Sequence, residues 1–168
     1  DLAALKFCER ALVIRTSWVY GVYGHNFAKT MLRLGKERDS INVVFDQIGT
    51  PTNARDLARA ILKIMYKAHH REVDLKALHG VYHYSNEGVC SWYDFAVAIL
   101  DLSGLTCRVK PLETSEYPTP AKRGHYAVLN KKKLKQTFGI TISHWHHSLQ
   151  KCIERIKTTE ANKKTENA

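Results

Sequence analysis

The amino-acid sequence predicts an α/β fold, in which short strands alternate with amphipathic helices. Ala11 to Ile14 form an unbroken apolar run, as expected for a strand that is covered on both faces in a parallel sheet. Phe27, Met31 and Leu34 then recur at helical spacing and form the apolar stripe of a helix. The 168 residues are enough for one domain with its own hydrophobic core.

The other elements follow in chain order from periodicity, caps and turn residues. These patterns predict the end of a helix at 1–10, helices over about 26–38, 53–68, 91–104, 130–139 and from 143 onwards, and strands or extended segments over 41–45, 80–85, 107–112 and 127–129. Asn26, Ser91, Asn130 and Ser143 are the expected N-caps, because their side chains can accept a hydrogen bond from the first turn. The polar segment 157–168 is predicted to be a disordered tail.

The charge of the chain favours an anionic partner. The formal net charge is +10, and the stretch from Tyr117 to Ile153 contains no Asp or Glu. The positive electrostatic potential of such a stretch attracts phosphates, nucleotides or nucleic acids. The stretch lacks the interleaved aromatic residues of single-strand-binding surfaces, so nucleic acid is not the favoured partner. We interpret the run Lys131–Lys133 as a solvated basic face.

Several other classes of protein and site are disfavoured. No apolar run approaches the roughly 20 residues that a membrane-spanning helix needs. The four cysteines form no C-x-x-C pair, which indicates reduced thiols in a cytoplasmic protein. His144, His146 and His147 lack the i, i+4 spacing of H-E-x-x-H, so a solvated helix face is favoured over a metal site.

Polar and aromatic residues follow the first strand directly, at Arg15, Thr16, Ser17 and Trp18. In open α/β sheets the ligand crevice lies outside the carboxyl ends of the strands. Trp18 offers a flat apolar face and one N–H donor, which suits a sugar ring or a base. The alternative is that Trp18 is only a core residue.

Four segments carry a resemblance to a known family: RTSWVYG at 15–21, Asn26-Phe27, DQIGTPT at 46–52 and HYSNEGVCSWYDFA at 83–96. They resemble the dTDP-4-dehydrorhamnose reductases, which are extended short-chain dehydrogenase/reductases with a Rossmann-type fold. The resemblance implies that residues 1–156 form the C-terminal substrate-binding portion of such an enzyme, including strands near 11–17 and 81–85 of the Rossmann sheet.

The family's Gly-rich loop and catalytic Tyr-x-x-x-Lys pair are absent from this sequence, because none of its eight Tyr is followed by Lys four positions later. We therefore assign no catalytic residue and expect this chain alone to be inactive. The resemblance implies NADPH or NADH as the cofactor, bound mainly by an N-terminal Rossmann half that this sequence lacks. It also allows a Mg²⁺ ion and a homodimer.

The family reduces the 4-keto group of dTDP-4-dehydro-β-L-rhamnose to give dTDP-L-rhamnose. By resemblance, the dTDP-sugar substrate contacts Trp18, Asn26, Phe27, Gln47, Thr52 and Arg123, and the cofactor contacts Arg15, Thr16 and Ser17. A guanidinium pairs well with a diphosphate, so that role is expected of Arg123, although Gly124 follows it where most members have Pro. The same fold serves as a non-catalytic subunit of methionine adenosyltransferase, so a nucleotide-sugar-binding or regulatory module is the alternative.

Overall fold

Helices and strands alternate along the computed structural model, which describes residues 1–117 and 124–166 and confirms the predicted α/β fold. Within these residues the α-helices are α1 (Leu2–Phe7), α2 (Phe27–Glu37), α3 (Ala54–His69), α4 (Trp92–Ser103), α5 (Lys132–Phe138) and α6 (Trp145–Glu166). The strands are β1 (Leu12–Arg15), β2 (Val19–Tyr20), β3 (Ser40–Val44), β4 (Ile48–Gly49), β5 (Thr52–Asn53), β6 (Gly80–His83), β7 (Cys90–Ser91) and β8 (Arg108–Leu112). Short 3₁₀ helices cover Leu75–Leu78 and Thr114–Glu116.

The strands pair two by two. β1 runs parallel to β6, with Leu12 opposite Gly80 and Arg15 opposite His83. β2 pairs in parallel with β5, and β3 pairs in parallel with β8 over its whole length. β4 and β7 are antiparallel. Parallel neighbours need a crossover connection, and α2 and α3 lie in the connection between β1 and β6.

β1 differs from the expectation of a strand covered on both faces. Leu12, Val13 and Ile14 are only half-buried. Among the described residues β6 is the one strand that pairs with β1, so its other edge is open. Unpaired backbone groups and partly exposed apolar side chains are typical of a strand at the border of a sheet.

Two apolar clusters hold the elements together. The larger one packs α2, α4 and α6 with β3 and includes Phe95, Ile99 and Leu149, which are completely buried. The smaller one packs α3 and α5 on the β1–β6 pair around Ile64 and Phe138. No helix in the described part of the chain has an apolar stretch long enough to cross a bilayer.

The predicted N-caps at Asn26 and Ser91 are confirmed. The Asn26 side chain accepts a hydrogen bond from the backbone N–H of Lys29 at 3.2 Å. Ser91 and Asp94 form a reciprocal capping box, in which each side chain accepts from the other residue's backbone N–H. These bonds satisfy N–H groups that the first turn of a helix otherwise leaves free.

The predicted cap at Ser143 is wrong, because α6 begins two residues later. The ring Nδ1 of His144 accepts from the N–H of His146 at 3.3 Å instead. The carbonyl oxygen of Ser143 accepts from the N–H of Glu87 at 2.9 Å, which fixes this residue as part of the preceding loop. The N-cap of α5 is Lys131 and not the predicted Asn130. Asn130 lies one residue before the cap, and its side chain accepts a hydrogen bond from the backbone N–H of Lys132.

The C-terminal segment also differs from its prediction as a disordered tail, because α6 continues to Glu166. Lys36 of α2 forms an ion pair with Glu160 at 3.4 Å, and Lys157 donates to the carbonyl oxygen of Leu102 at 3.2 Å. These contacts tie the polar end of α6 to α2 and α4. The last two residues of the chain lie outside the described residues.

Two smaller predictions are corrected as well. No strand forms over 127–129, where Ala127 makes only a backbone hydrogen bond to Ile48 at 2.8 Å. The solvated-face interpretation is wrong for Lys131, which is 8% exposed and donates to the carbonyl oxygen of Asn86 at 2.9 Å. The Lys131 ammonium also pairs with Glu87 at 3.2 Å, so the burial of this charge is compensated.

Candidate functional site

The residues that leave β1 are joined to the loop that leads into β5. The Thr16 hydroxyl donates to the hydroxyl of Thr52 at 3.3 Å, and Ser17 donates to the carbonyl oxygen of Thr50 at 3.1 Å. The backbone of Trp18 continues the connection, since its carbonyl oxygen accepts from the N–H of Thr52 at 3.1 Å. The exit of β1 and the TPT part of the DQIGTPT segment therefore form one wall.

Trp18 is half-buried and has an uncommon backbone conformation, with φ of 48°. Its indole stacks on the indole of Trp92, with the ring centroids 3.6 Å apart and the planes inclined by 15°. A Cβ atom added to Gly49 would lie 2.7 Å from the Cε2 and Cζ2 atoms of Trp18, so only glycine fits there without a shift. The ring is therefore held between a glycine and a second aromatic side chain.

Phe27 extends this pair of indoles into an aromatic cluster. Its ring centroid lies 4.6 Å from that of Trp92 and 5.6 Å from that of Phe95. Phe27 is the first residue of α2, and Trp92 is the first residue of α4. The starts of these two helices thus bring Phe27 to the site predicted around Trp18.

Trp92 was not among the residues that sequence reasoning assigned to the site. It lies inside the HYSNEGVCSWYDFA segment, directly after the confirmed cap Ser91. That position was a usable signal, because an aromatic residue at the start of a helix faces the same end of the fold as the cap.

The DQIGTPT segment also contacts the short 3₁₀ helix that follows β8. Gln47 is 8% exposed and donates through Nε2 to the hydroxyl of Thr114 at 3.1 Å. The Asp46 carboxylate accepts from the N–H and the hydroxyl of Thr114, and these hydrogen bonds hold the pKa of Asp46 below its ordinary value. His125 lies 3.5 Å from the same carboxylate.

Asn26 and Arg15 make structural contacts. The Nδ2 atom of Asn26 donates to the carbonyl oxygen of Gly21 at 2.9 Å, while its Oδ1 caps α2. Both polar ends of this side chain are therefore used within the fold. Arg15 is exposed and pairs with Asp1 at 2.7 Å. Arg123, the predicted diphosphate ligand, lies outside the described residues.

Thr52 is completely buried, so its contribution to the wall is to hold the hydroxyl of Thr16 in place. No group of three or more His, Cys, Asp or Glu in residues 1–117 and 124–166 could hold a metal ion. What the described residues offer is a cluster of half-buried aromatic rings beside hydroxyl groups at the carboxyl end of a parallel strand. This arrangement suits the binding of a ring-containing polar ligand.

Comparison with known proteins identifies the family. A sequence model of the RmlD substrate binding domain matches residues 2–158. The dTDP-4-dehydrorhamnose reductase of Aggregatibacter actinomycetemcomitans is 41% identical over 153 residues, which cover 87% of this chain and 51% of that protein.

Two solved structures agree with this match. The dTDP-4-dehydrorhamnose reductase of Clostridium acetobutylicum superposes with a TM-score of 0.78 at 42% identity, over 87% of this chain and 49% of that one. The Bacillus anthracis enzyme, in complex with NADP, superposes with a TM-score of 0.77 at 38% identity, over 86% and 48%. The chain spans about half the length of the relatives it matches. Because the family match extends over residues 2–158 of 168, this chain belongs to the RmlD substrate binding domain family.

Proposed function

We propose that this chain is the C-terminal, substrate-binding part of an NAD(P)H-dependent dTDP-4-dehydrorhamnose reductase. The reaction is the reduction of the 4-keto group of dTDP-4-dehydro-β-L-rhamnose to give dTDP-L-rhamnose. The observation that carries the proposal is the stack of Trp18 on Trp92 at the exit of β1, beside the hydroxyls of Thr16 and Ser17. Membership of the family and relatives with this activity support the assignment.

The reaction transfers a hydride from the nicotinamide to C4 of the sugar, while the carbonyl oxygen takes up a proton. The proton donor comes from outside this chain, whose sequence has no Tyr-x-x-x-Lys. NADPH or NADH supplies the hydride when bound. Thr16 and Ser17 would line the nicotinamide with their hydroxyls, and the exposed Arg15 would lie at the edge of the same site.

The sugar nucleotide would lie against the aromatic cluster. Trp18 and Phe27 are half-buried and would offer a deoxysugar or base the parts of their rings that Gly49 and the other aromatic side chains leave open, and Gln47 contributes a carboxamide that Thr114 holds in place. Asn26 would act by fixing the start of α2, since both ends of its side chain are already hydrogen-bonded. Thr52 would act through the hydroxyl of Thr16.

Arg123 would pair with the diphosphate, on the chemistry of the guanidinium group and the resemblance of its segment. This role is independent of the aromatic cluster. Arg123→Lys keeps the charge but loses the bidentate geometry, so it should raise the KM for the dTDP-sugar.

The open edge of β1 and an apolar face on α3 favour a further Rossmann half beside this chain. Leu62, Met65 and Tyr66 lie on one face of α3 by their spacing and are 63%, 61% and 58% exposed. Exposed apolar surface of this kind marks an interaction site. The coverage of about half of each relative supports the same partner.

Two further expectations concern the oligomeric state and Mg²⁺. A homodimer rests on the resemblance and is checked by the mass of the intact protein in solution. Mg²⁺ is not part of the proposed mechanism, because the described residues contain no cluster of three or more His, Cys, Asp or Glu that could hold it. The relatives compared above are named as reductases, which favours the reductase over a non-catalytic subunit.

The test is the effect of Trp18→Ala on kcat/KM for dTDP-4-dehydro-β-L-rhamnose in the reductase that contains this chain. An aromatic contact is worth about 0.5–1.5 kcal/mol beyond its buried area, so we expect a loss of roughly tenfold. Trp18→Phe keeps a stacking ring and should recover most of the activity. Circular dichroism checks that the fold survives, and an unchanged kcat/KM in Trp18→Ala would remove Trp18 from the site.

A second assay tests whether this chain needs the other half of the enzyme for catalysis. The chain alone, mixed with NADPH and the dTDP-sugar, should show no loss of the near-ultraviolet absorbance of NADPH. Detectable oxidation would mean that a proton donor lies within this chain and would overturn the proposed role of the other half.

A further inference from the structure

A cavity of about 440 Å³ opens between the loop that precedes α2, the start of α3 and the middle of α6. Tyr20 and Asn53 contribute to its lining together with Ser148 and Cys152. Of the predicted substrate residues Asn26 also lines this cavity, whereas Trp18, Phe27, Gln47 and Thr52 are not among its lining residues. A volume of this size lies in the range of small-molecule sites, which is about 300–1,000 Å³.

The cavity is lined by two pairs of cationic side chains from different helices. Arg55 and Arg59 are four residues apart on α3, and Lys151 and Arg155 are four residues apart on α6. Residues at this spacing are neighbours on one helix face, and like charges at i, i+4 destabilise a helix. The fold therefore accepts two unfavourable like-charge pairs at the same cavity.

Nothing in the described part of the chain neutralises these four cations. None of them forms an ion pair within residues 1–117 and 124–166. The one acidic lining residue is Asp56, whose carboxylate accepts hydrogen bonds from Asn86 and Ser148 instead. All four cations are exposed, so solvent screens them in part, and together with Asp56 they leave the lining with three net positive charges when His25 is neutral.

The wall of the cavity also contains a polar group with an unmet hydrogen bond. Tyr20 is 1% exposed, and Asn53 lies beside its hydroxyl, but the two side chains form no hydrogen bond of regular geometry. A buried donor without a partner is unfavourable, so a ligand oxygen that accepts from it would be stabilised. Burial raises the pKa of Tyr20 well above its ordinary value, so the hydroxyl remains a neutral donor at physiological pH.

We propose that this cavity is a second ligand site, which binds a small phosphorylated molecule through two anionic groups, as in a diphosphate or a bisphosphate. Guanidinium groups bind phosphate oxygens in bidentate fashion, and pairs of cations from two helices match two charged groups. A concave cavity fits a small molecule better than a nucleic acid strand, which needs an extended groove with aromatic platforms. This inference is independent of the proposed reductase function.

The test uses inorganic pyrophosphate and orthophosphate as probes, with isothermal titration calorimetry on the full chain at constant ionic strength. Pyrophosphate should bind at least tenfold more tightly than orthophosphate, because it carries more negative charge and offers a second phosphate group to the four cations. The double variant Arg55→Gln/Arg155→Gln removes one cation from each helix and should weaken pyrophosphate binding at least tenfold.

The matched control is Arg38→Gln/Arg108→Gln, which removes the same charge from two exposed arginines that do not line the cavity. It should leave the affinity for pyrophosphate within about twofold. Equal losses in both double variants would show a diffuse electrostatic effect and overturn the site. Circular dichroism of each variant confirms that the fold is retained.

A further variant separates this site from the proposed substrate crevice. Trp18→Ala should leave pyrophosphate binding unchanged while it lowers the use of the dTDP-sugar. Loss of pyrophosphate binding in Trp18→Ala would mean that the anion binds in the substrate crevice, and the second site would be rejected. An affinity for single-stranded oligonucleotides that rises with their length and exceeds that for pyrophosphate would assign the cations to nucleic acid and also reject it.

Discussion

Glu87 connects two lysines to the loop after β6, and its charge should stabilise the fold more than any surface ion pair does. Its carboxylate lies 3.2 Å from the ammonium of Lys131 and 2.8 Å from that of Lys135. The side chain of Lys131 is only 9% exposed. Glu87→Gln keeps the size of the side chain but leaves the charge of Lys131 with the carbonyl oxygen of Asn86 as its described partner.

The magnitude follows from burial. Removing one partner of a fully buried ion pair costs about 3–5 kcal/mol, whereas exposed pairs contribute about 0–1 kcal/mol. The Glu87 side chain is 33% exposed, so solvent screens part of the interaction. We therefore expect Glu87→Gln to lower the free energy of unfolding by about 2 kcal/mol, which corresponds to about 4–8 °C in Tm for a chain of this length.

The assay is urea unfolding of the full chain followed by circular dichroism. The matched control is Glu37→Gln, which breaks the pair between Arg33 and Glu37, whose side chains are 60% and 51% exposed. The control should change the free energy of unfolding by less than about 0.5 kcal/mol. If both variants lost the same free energy of unfolding, the burial of Lys131 would not be what makes its ion pair with Glu87 more stabilising than an exposed pair.

The pH dependence of the same pair gives a second readout. Burial alone would raise the pKa of Glu87, but hydrogen bonds from Lys135 and Lys131 lower it below its ordinary value of 4.5. A carboxylate with a depressed pKa stabilises the fold fully above its unfolded pKa, and the contribution is lost as the pH falls through the folded pKa. The stability difference between the wild type and Glu87→Gln should therefore shrink as the pH falls from neutral through the ordinary value of 4.5 and below it. A difference that stays constant over this range would contradict the role of the charge.

Two further substitution and labelling experiments follow from the packing. Gly49→Ala places a Cβ atom 2.7 Å from the Trp18 ring, so it should lower stability by about 1–3 kcal/mol and shift the tryptophan fluorescence. Gly124→Ala, whose added Cβ meets no atom of the described residues within 4 Å, should do neither. Burial raises the pKa of the Cys90 thiol to about 12, so iodoacetamide at neutral pH should alkylate the exposed Cys8 far faster, as read by mass spectrometry. Similar rates at the two cysteines would show that the native state opens around β7.

Local signals made several features predictable from the sequence. The caps at Asn26 and Ser91 were found because a capping residue acts within one helical turn. The apolar run of β1 was assigned correctly as a parallel strand, although its degree of burial was not. Burial depends on the neighbour at the other edge, which the run itself does not reveal.

Features that depend on contacts between distant parts of the chain were not predictable. Lys131 stands in a run of lysines that looks solvated, but the fold places it against Asn86 and Glu87. The stack of Trp92 on Trp18 has the same origin, since the two indoles come from separate segments of the family resemblance. In each case the local pattern was correct for an isolated segment and the tertiary contact decided the outcome.

The sequence left two interpretations of Trp18 open, as a core residue or as a ligand-binding surface, and the energetics of its backbone favour the second. A non-glycine residue with φ of 48° costs about 1–3 kcal/mol, which the roughly 0.5–1.5 kcal/mol of the stack on Trp92 does not offset by itself. The conformation is held by backbone and hydroxyl bonds to the segment from Thr50 to Thr52. Trp18 packs against the larger apolar cluster but remains half-exposed, so core packing accounts for only part of its position. A ring that is held in a strained position and still reaches solvent is what a binding surface requires, which is why Trp18→Ala is the decisive variant for the proposed reductase.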